Sequence, residues 1–283
     1  MHLELPRNRR LVLDRPRLVG VLNVTPDSFS DGGAWLEPDA ATAQARRMLD
    51  EGADVIDVGG ESTRPGAARV DVEAQLDRVL PVIERLAGEL DAVISIDTTR
   101  PAVARAALDA GAAMLNDVSA GRDDPAMFDL AAQTGAPLVL MHMQGEPATM
   151  QTDPRYDDVV AEVRTFLLQR AAAAEAAGVQ RSRIVLDPGI GFGKTTQHNL
   201  QLIVHLDRLV DTGYAVLLGA SRKRFLGELT GVQAADQRGP ATAATTAAGV
   251  LAGVHLFRVH DLTVNRHVAD VTHAVAAHRR QHG

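Results

Sequence analysis

A single α/β domain folded as a (β/α)8 TIM barrel is the fold the sequence predicts, and three observations predict it. Short apolar, β-branched runs alternate with longer Ala- and Leu-rich charged segments along the chain. Strict β-then-α alternation implies a parallel sheet, open or closed. About eight such units in a chain of this length favour the closed barrel. Polar residues recur at the ends of the apolar runs, and no Pro/Gly/Ser linker, charge block or shift in composition divides residues 1–283.

The strands are expected at Leu18–Asn23, Asp54–Val58, Val93–Asp97, Met114–Val118, Leu138–His142, Ile184–Asp187, Ala215–Gly219 and Leu256–His260. Most are continuous apolar runs, as parallel strands covered on both faces require. Helical segments are expected at Pro38–Glu51, Asp71–Leu90, Pro101–Ala110, Asp157–Ala177 and His198–Val210. Pro101 suits a first helical position, and Gly178 follows a long Ala-rich run. Asn23, Asp57, Asp97, Asn116, His142, Asp187, Gly219 and His260 fall at or just beyond strand C-termini. In a barrel those ends converge on one mouth, where active sites sit. Any one such residue can equally be a turn or helix cap; the recurrence points to a polar pocket without naming its ligand.

Composition narrows the function classes. The chain is 46% hydrophobic but 3% aromatic, so Ala, Val and Leu must build the core. Cysteine is absent, which excludes disulfides and thiolate metal sites. The formal net charge of −7 disfavours a general nucleic-acid binder, which needs phosphate-neutralising Lys and Arg. A small anion held by a few cations in a cleft stays open. No apolar run approaches the roughly eighteen residues that span a bilayer, and the charged start MHLELPRNRR lacks a secretory apolar stretch. The expectation is a soluble cytoplasmic protein without membrane partners.

Standard chemistries fit poorly. Pro188–Thr195 (PGIGFGKT) follows a strand like a phosphate loop but has Pro188 where that motif needs its first Gly. Gly219–Lys223 (GASRK) opens like a nucleophile elbow but has Lys223 in place of the second Gly. The ten histidines form no HExxH pair, and His142, between Met141 and Met143, reads more readily as a packed strand end than as a zinc ligand. A hard oxygen-liganded ion such as Mg²⁺ stays open, because phosphates can supply most of its ligands. Ser221–Phe225 (SRKRF) is the one compact basic cluster, and a solvated helix face would explain it blandly. Arg258–Asp261 (RVHD) closes the last strand, where Arg258 and His260 share a face. Arg offers a rigid fork for phosphate oxygens; an ordinary Arg–Asp surface pair is the alternative.

Eight segments, taken together and in order, resemble the dihydropteroate synthase family over essentially the whole chain. They are NVTPDSFSDGG at Asn23–Gly33, GGESTRPG at Gly59–Gly66, IDT at Ile96–Thr98, NDV at Asn116–Val118 and MHMQG at Met141–Gly145. DPGIGFGKT follows from Asp187, SRK from Ser221 and RVHD from Arg258. The resemblance implies a barrel that joins para-aminobenzoate to a hydroxymethyl-dihydropterin pyrophosphate, giving dihydropteroate and pyrophosphate with Mg²⁺ assisting. It implies a homodimer and a sulfonamide target. It assigns pterin reading to Asp97, Asn116 and Asp187, with Lys223 at the ring carbonyl and N5 and with Met141, Val118 and Phe192 as apolar walls. Asn23 would meet the metal, while Thr63, Arg258 and His260 would lie near the pyrophosphate. Phe29, Asp31, Thr63 and Arg64 belong to loops that would close over the reactants, and Ser221–Arg224 would face the arylamine carboxylate. On this reading Asp97, Lys223, Arg258 and His260 carry the chemistry. A corrinoid-linked methyltransferase barrel sharing the Asp–Asn–Asp pocket, or a non-catalytic pterin-binding paralogue, are the alternatives.

Overall fold

A computed structural model describes residues 1–24, 38–61, 69–146 and 149–282, with side chains to residue 279. The chain opens with an antiparallel hairpin, β1 (His2–Leu5) and β2 (Arg9–Val12). Its turn carries positive φ at Arg7 and Asn8, the backbone that a tight right-twisted hairpin turn needs. The sequence reading did not include this hairpin.

Eight parallel strands then close a barrel: β3 (Arg17–Asn23), β4 (Val55–Gly59), β5 (Val93–Asp97), β6 (Met114–Asp117), β7 (Leu138–Met141), β8 (Ile184–Asp187), β9 (Ala215–Leu218) and β10 (Leu256–Val259). The strand order is β10-β3-β4-β5-β6-β7-β8-β9. Each expected strand is present to within one residue at either end. The helices are α1 (Pro38–Asp50), α2 (Val72–Glu89), α3 (Pro101–Ala110), α4 (Ala126–Thr134), α5 (Val159–Ala176), α6 (Thr196–Val204), α7 (Asp207–Val210), α8 (Arg224–Thr230), α9 (Gly239–Leu251) and α10 (Leu262–His282).

Local chemistry sets the helix ends. Asp71 and Asp158 cap α2 and α5 by accepting N–H groups of the first turn. Pro101 occupies the start of α3, and Gly111 ends it. The segment His198–Val210 is two helices rather than one continuous helix. Thr195 and His198 form a reciprocal cap that starts α6 at Thr196. His205 then leaves helical geometry at φ −111°, ψ 29°, and the bend buries both Leu206 and Leu209.

Two apolar layers flank the sheet. Outside the barrel, strand residues such as Leu18, Ile56, Ile94 and Phe257 pack against the helices. Phe257 needs the bare backbone of Gly249 on α9, where a Cβ would come within 2.6 Å of its ring. Inside, Val19, Val55, Val93, Val139, Val185 and Leu256 fill the N-terminal half of the barrel, and Leu3, Leu5, Leu11 and Leu13 of the hairpin seal it from below. The opposite, C-terminal end is where the inward residues turn polar. No helix among the described residues is long and apolar enough to cross a membrane.

Candidate active site

The C-terminal mouth opens into a cavity of about 790 Å³ lined by residues from most of the strand ends. Asn23, Asp97, Asn116, Met141, Asp187, Phe192, Ser221, Lys223, Arg258 and His260 all line it, so the expected site residues in the described part of the chain converge. Phe29, Asp31, Thr63 and Arg64 lie outside the described residues.

Arg258 crosses the interior. From β10 its Nε donates to Asp57 Oδ2 on β4 at 2.7 Å, and an Nη donates to Asp97 Oδ2 on β5 at 2.8 Å. Those strands are not its neighbours in the barrel, so only an inward side chain makes both contacts. The surface pair that the RVHD segment allowed does not form with Arg258: Asp261 instead takes the Arg222 guanidinium at 2.5 and 3.1 Å. Asn116 on β6 donates from Nδ2 to Asp57 Oδ2 at 3.1 Å. Asp57, Asp97, Asn116 and Arg258 thus form one network, with two carboxylates sharing one guanidinium.

Burial pushes the Asp97 carboxyl up to about 7; Arg258 opposes the shift, and the nearby Asp57, Asp117 and Glu61 add to it. Asp187 ends β8, and its Oδ1 accepts the Gly189 N–H at 2.7 Å. Burial raises its carboxyl to about 6 against the pull of that N–H and of Lys223, Lys194 and Arg258. Gly219, at the end of the predicted Ala215–Gly219 strand, lines this side of the cavity, and a Cβ there would stand in ordinary contact 3.6 Å from Asp187 Oδ2.

The outer half is apolar and basic. Val118, Met141, Met143, Met150 and Phe192 form a separate buried cluster beside the polar network. Lys223 Nζ sits 3.9 Å from the centre of the Phe192 ring, a cation–π placement. Ser221 Oγ lies 2.9 Å from His260 Nδ1 and accepts the His260 backbone N–H at 3.1 Å. The SRKR run is therefore no uniform solvated face: Ser221 and Lys223 turn to the cavity, Arg222 pairs with Asp261, and Arg224 is an exposed partner of Glu228.

Two residues to which the sequence reading assigns no role emerge here. Asp57 is fully buried beneath the cavity, in register with Val21 and Ser95; its place among the polar strand ends was the available signal. Lys194 is 2% exposed and donates to the Phe192 carbonyl at 3.0 Å, with its Nζ 2.9 Å from His142 Nδ1. Burial brings that amine down to about 7, and it brings His142 down to about 2, so the imidazole stays neutral beside it. Lys194 is thus tied inward rather than presented as a phosphate-loop lysine. A lone Lys after glycines carries no periodicity that would have revealed this.

The donor set suits a hard cation only in part. Asn23 ends β3, half-buried at the cavity wall, and offers one neutral amide oxygen. Among the described residues no group of three His, Asp or Glu could hold a metal. A hard cation held at Asn23 would take most of its ligands from phosphate oxygens and water.

Comparison with known proteins agrees with this geometry. Residues 19–260 match the family model described as pterin binding enzyme. The dihydropteroate synthase of Mycobacterium leprae is 51% identical over 252 residues, covering 87% of this chain and 88% of the relative. The crystal structure of the Yersinia pestis dihydropteroate synthase with a sulfonamide drug complex superposes with a TM-score of 0.93 at 42% identity, covering 98% of this chain and 100% of that one. The Xanthomonas albilineans dihydropteroate synthase with 4-aminobenzoic acid gives a TM-score of 0.91 at 49% identity, with 98% of each chain covered. A structure of the Xanthomonas albilineans enzyme in complex with 7,8-dihydropteroate gives 0.88 at 46% identity, covering 98% of this chain and 99% of that one. The chain belongs to the dihydropteroate synthase family of pterin-binding enzymes.

Proposed function

We propose that this chain is a transferase that condenses 6-hydroxymethyl-7,8-dihydropterin pyrophosphate with para-aminobenzoate, forming 7,8-dihydropteroate and pyrophosphate in folate biosynthesis. The observation that carries the reading is the gathering of Asp97, Asn116 and Asp187 from three strands into one cavity above Arg258. A pterin edge presents amide and amino N–H donors beside ring-nitrogen acceptors. Asp187 and Asp97 are acceptors when ionised, and Asn116 can donate and accept. Lys223 meets the ring carbonyl and N5 region, and Met141 and Phe192 cover its faces.

The reaction needs leaving-group stabilisation and positioning more than a side-chain nucleophile. In the dissociative course proposed, the C–O bond to pyrophosphate breaks first and the electron pair leaves with pyrophosphate. The pterin ring shares the resulting cation. The arylamine nitrogen then forms the C–N bond and gives one proton to solvent. Arg258 supplies positive charge to the departing group, and His260 and Thr63 offer it hydrogen bonds, while Ser221 and Lys223 face the arylamine. The family resemblance assigns Phe29, Asp31 and Arg64, which lie outside the described residues, to excluding water from the reactants. Asn23 would hold Mg²⁺ together with the pyrophosphate, where it would neutralise charge on the leaving oxygens.

Formation of dihydropteroate from the two purified reactants, followed chromatographically, tests the reading; a pterin that binds but yields no product contradicts it and leaves a non-catalytic pterin binder. The same proposal includes a homodimer in a cytoplasmic setting, which sedimentation at two concentrations and fractionation check. A sulfonamide is expected to compete with para-aminobenzoate, and inhibition unaffected by raised para-aminobenzoate would count against that.

A further inference from the structure

Asp57 takes no part in lining the cavity, yet it holds two residues that do. It is 0% exposed on β4. Its Oδ2 receives both the Arg258 Nε at 2.7 Å and the Asn116 Nδ2 at 3.1 Å. We propose that Asp57 is a positioning residue for pterin recognition: it fixes the Asn116 amide with its oxygen toward the cavity and holds Arg258 between itself and Asp97. The inference rests on the reading of the cavity as a pterin site.

The amide orientation follows from donor and acceptor chemistry. An ionised carboxylate only accepts, so the Asn116 atom facing it must be the nitrogen. Turning the amide over would set two acceptor oxygens about 3 Å apart in a buried site, which costs on the order of a hydrogen bond and its desolvation. Asn116 Oδ1 is thereby committed as an acceptor for a ring donor. A surface asparagine has no such commitment, so the fully buried carboxylate acts as the specificity element behind the visible one.

Sharing of Arg258 has a second consequence. The charges that act on Asp97 are Arg258 from β10, Asp57 from β4, Asp117 from β6 and Glu61 from the segment after β4. The Asp57 charge competes for the one guanidinium and so keeps the Asp97 carboxyl higher than Arg258 alone would leave it. Acidification therefore protonates Asp97 first and then Asp187, whose carboxyl lies lower at about 6, and removes acceptors for the pterin N–H groups.

Asp57→Asn separates charge from geometry. Its amide oxygen can take the place of Oδ2, and its nitrogen falls where Oδ1 has no hydrogen-bond partner among the described residues. Asp57→Leu removes the acceptor altogether. Calorimetric titration of each variant with a hydroxymethylpterin lacking phosphates, from about pH 5 to about pH 9, reads both effects across the range where buried carboxylates titrate. In Asp57→Asn the first loss of affinity on acidification, which belongs to Asp97, moves down by about one pH unit toward the Asp187 step; an unchanged onset overturns the sharing of Arg258. Asp57→Leu and Asn116→Ala each weaken binding by about tenfold, and the double variant is no weaker than the worse single one. Losses that multiply overturn the positioning role. Should Asp57→Leu not fold, the Asp57→Asn profile decides. A wild-type protein that binds no pterin sinks this inference and the proposed function together, whereas multiplicative losses in a pterin-binding protein sink this inference alone.

Discussion

Asp187 is 5% exposed and sits among backbone and lysine partners that compensate its charge only in part. Its carboxyl rises from the ordinary 3.8 to about 6, so the folded state holds a proton that the unfolded chain has already released. The stability this contributes is fully present below about pH 4 and is lost as pH rises through about 6. Asp187→Asn cannot ionise and keeps an oxygen for the Gly189 N–H. The variant is therefore expected to melt at a higher temperature than wild type at about pH 8, with the difference shrinking toward about pH 4. The same change replaces an acceptor by a mixed group and should weaken pterin binding about tenfold or more. Thermal melts at the two pH values and calorimetry check the pair; a variant that binds as well as wild type removes Asp187 from the recognition set. This opposition of stability and binding in one carboxylate is what a ligand site buried in a barrel requires.

At the scale of elements, the loop after β8 lies directly on the loop after β7. Gly189 has φ +66°, and a Cβ there would collide with the His142 carbonyl oxygen. Gly193 at φ +63° meets the Gln144 carbonyl in the same way, and Lys194 completes the seam by donating to backbone of both loops. Gly189→Ala therefore adds left-handed strain and a backbone clash, for an expected loss of about 1–3 kcal/mol. It also moves Phe192 and Asp187, so pterin affinity should fall with stability. Urea denaturation beside calorimetry measures both, and an unperturbed Gly189→Ala would contradict the seam. The glycines of PGIGFGKT thus serve close loop packing, a use the phosphate-loop pattern does not contain. The barrel strands were legible because parallel strands covered on both faces must be short apolar runs. The hairpin was not, since HLEL and RRLV mix charge and Leu over four residues each and bury one face only against the barrel floor. The break between α6 and α7 was likewise hidden, because it is set by burying Leu206 and Leu209 rather than by a Pro or Gly.

Over the whole molecule, the barrel divides its labour by end. One end is closed by Leu3, Leu5, Leu11 and Leu13 over a layer of valines, and the other collects the polar strand ends into the cavity. Strand-end polarity and the family resemblance together placed most of the candidate site. They did not give its wiring, because Arg258 to Asp57 and Asp97 is a contact between residues up to 201 positions apart. Sequence order locates such residues at one mouth; only closure of the barrel decides which of them pair. In the proposed reaction one cavity binds both reactants and couples departure of pyrophosphate to bond formation with the arylamine. Pyrophosphate release, followed with Mg²⁺ present and with each reactant omitted in turn, measures that coupling. Rapid release is expected only when pterin pyrophosphate and para-aminobenzoate are both present, with at most a slow leak otherwise. Release at the same rate without para-aminobenzoate would contradict it.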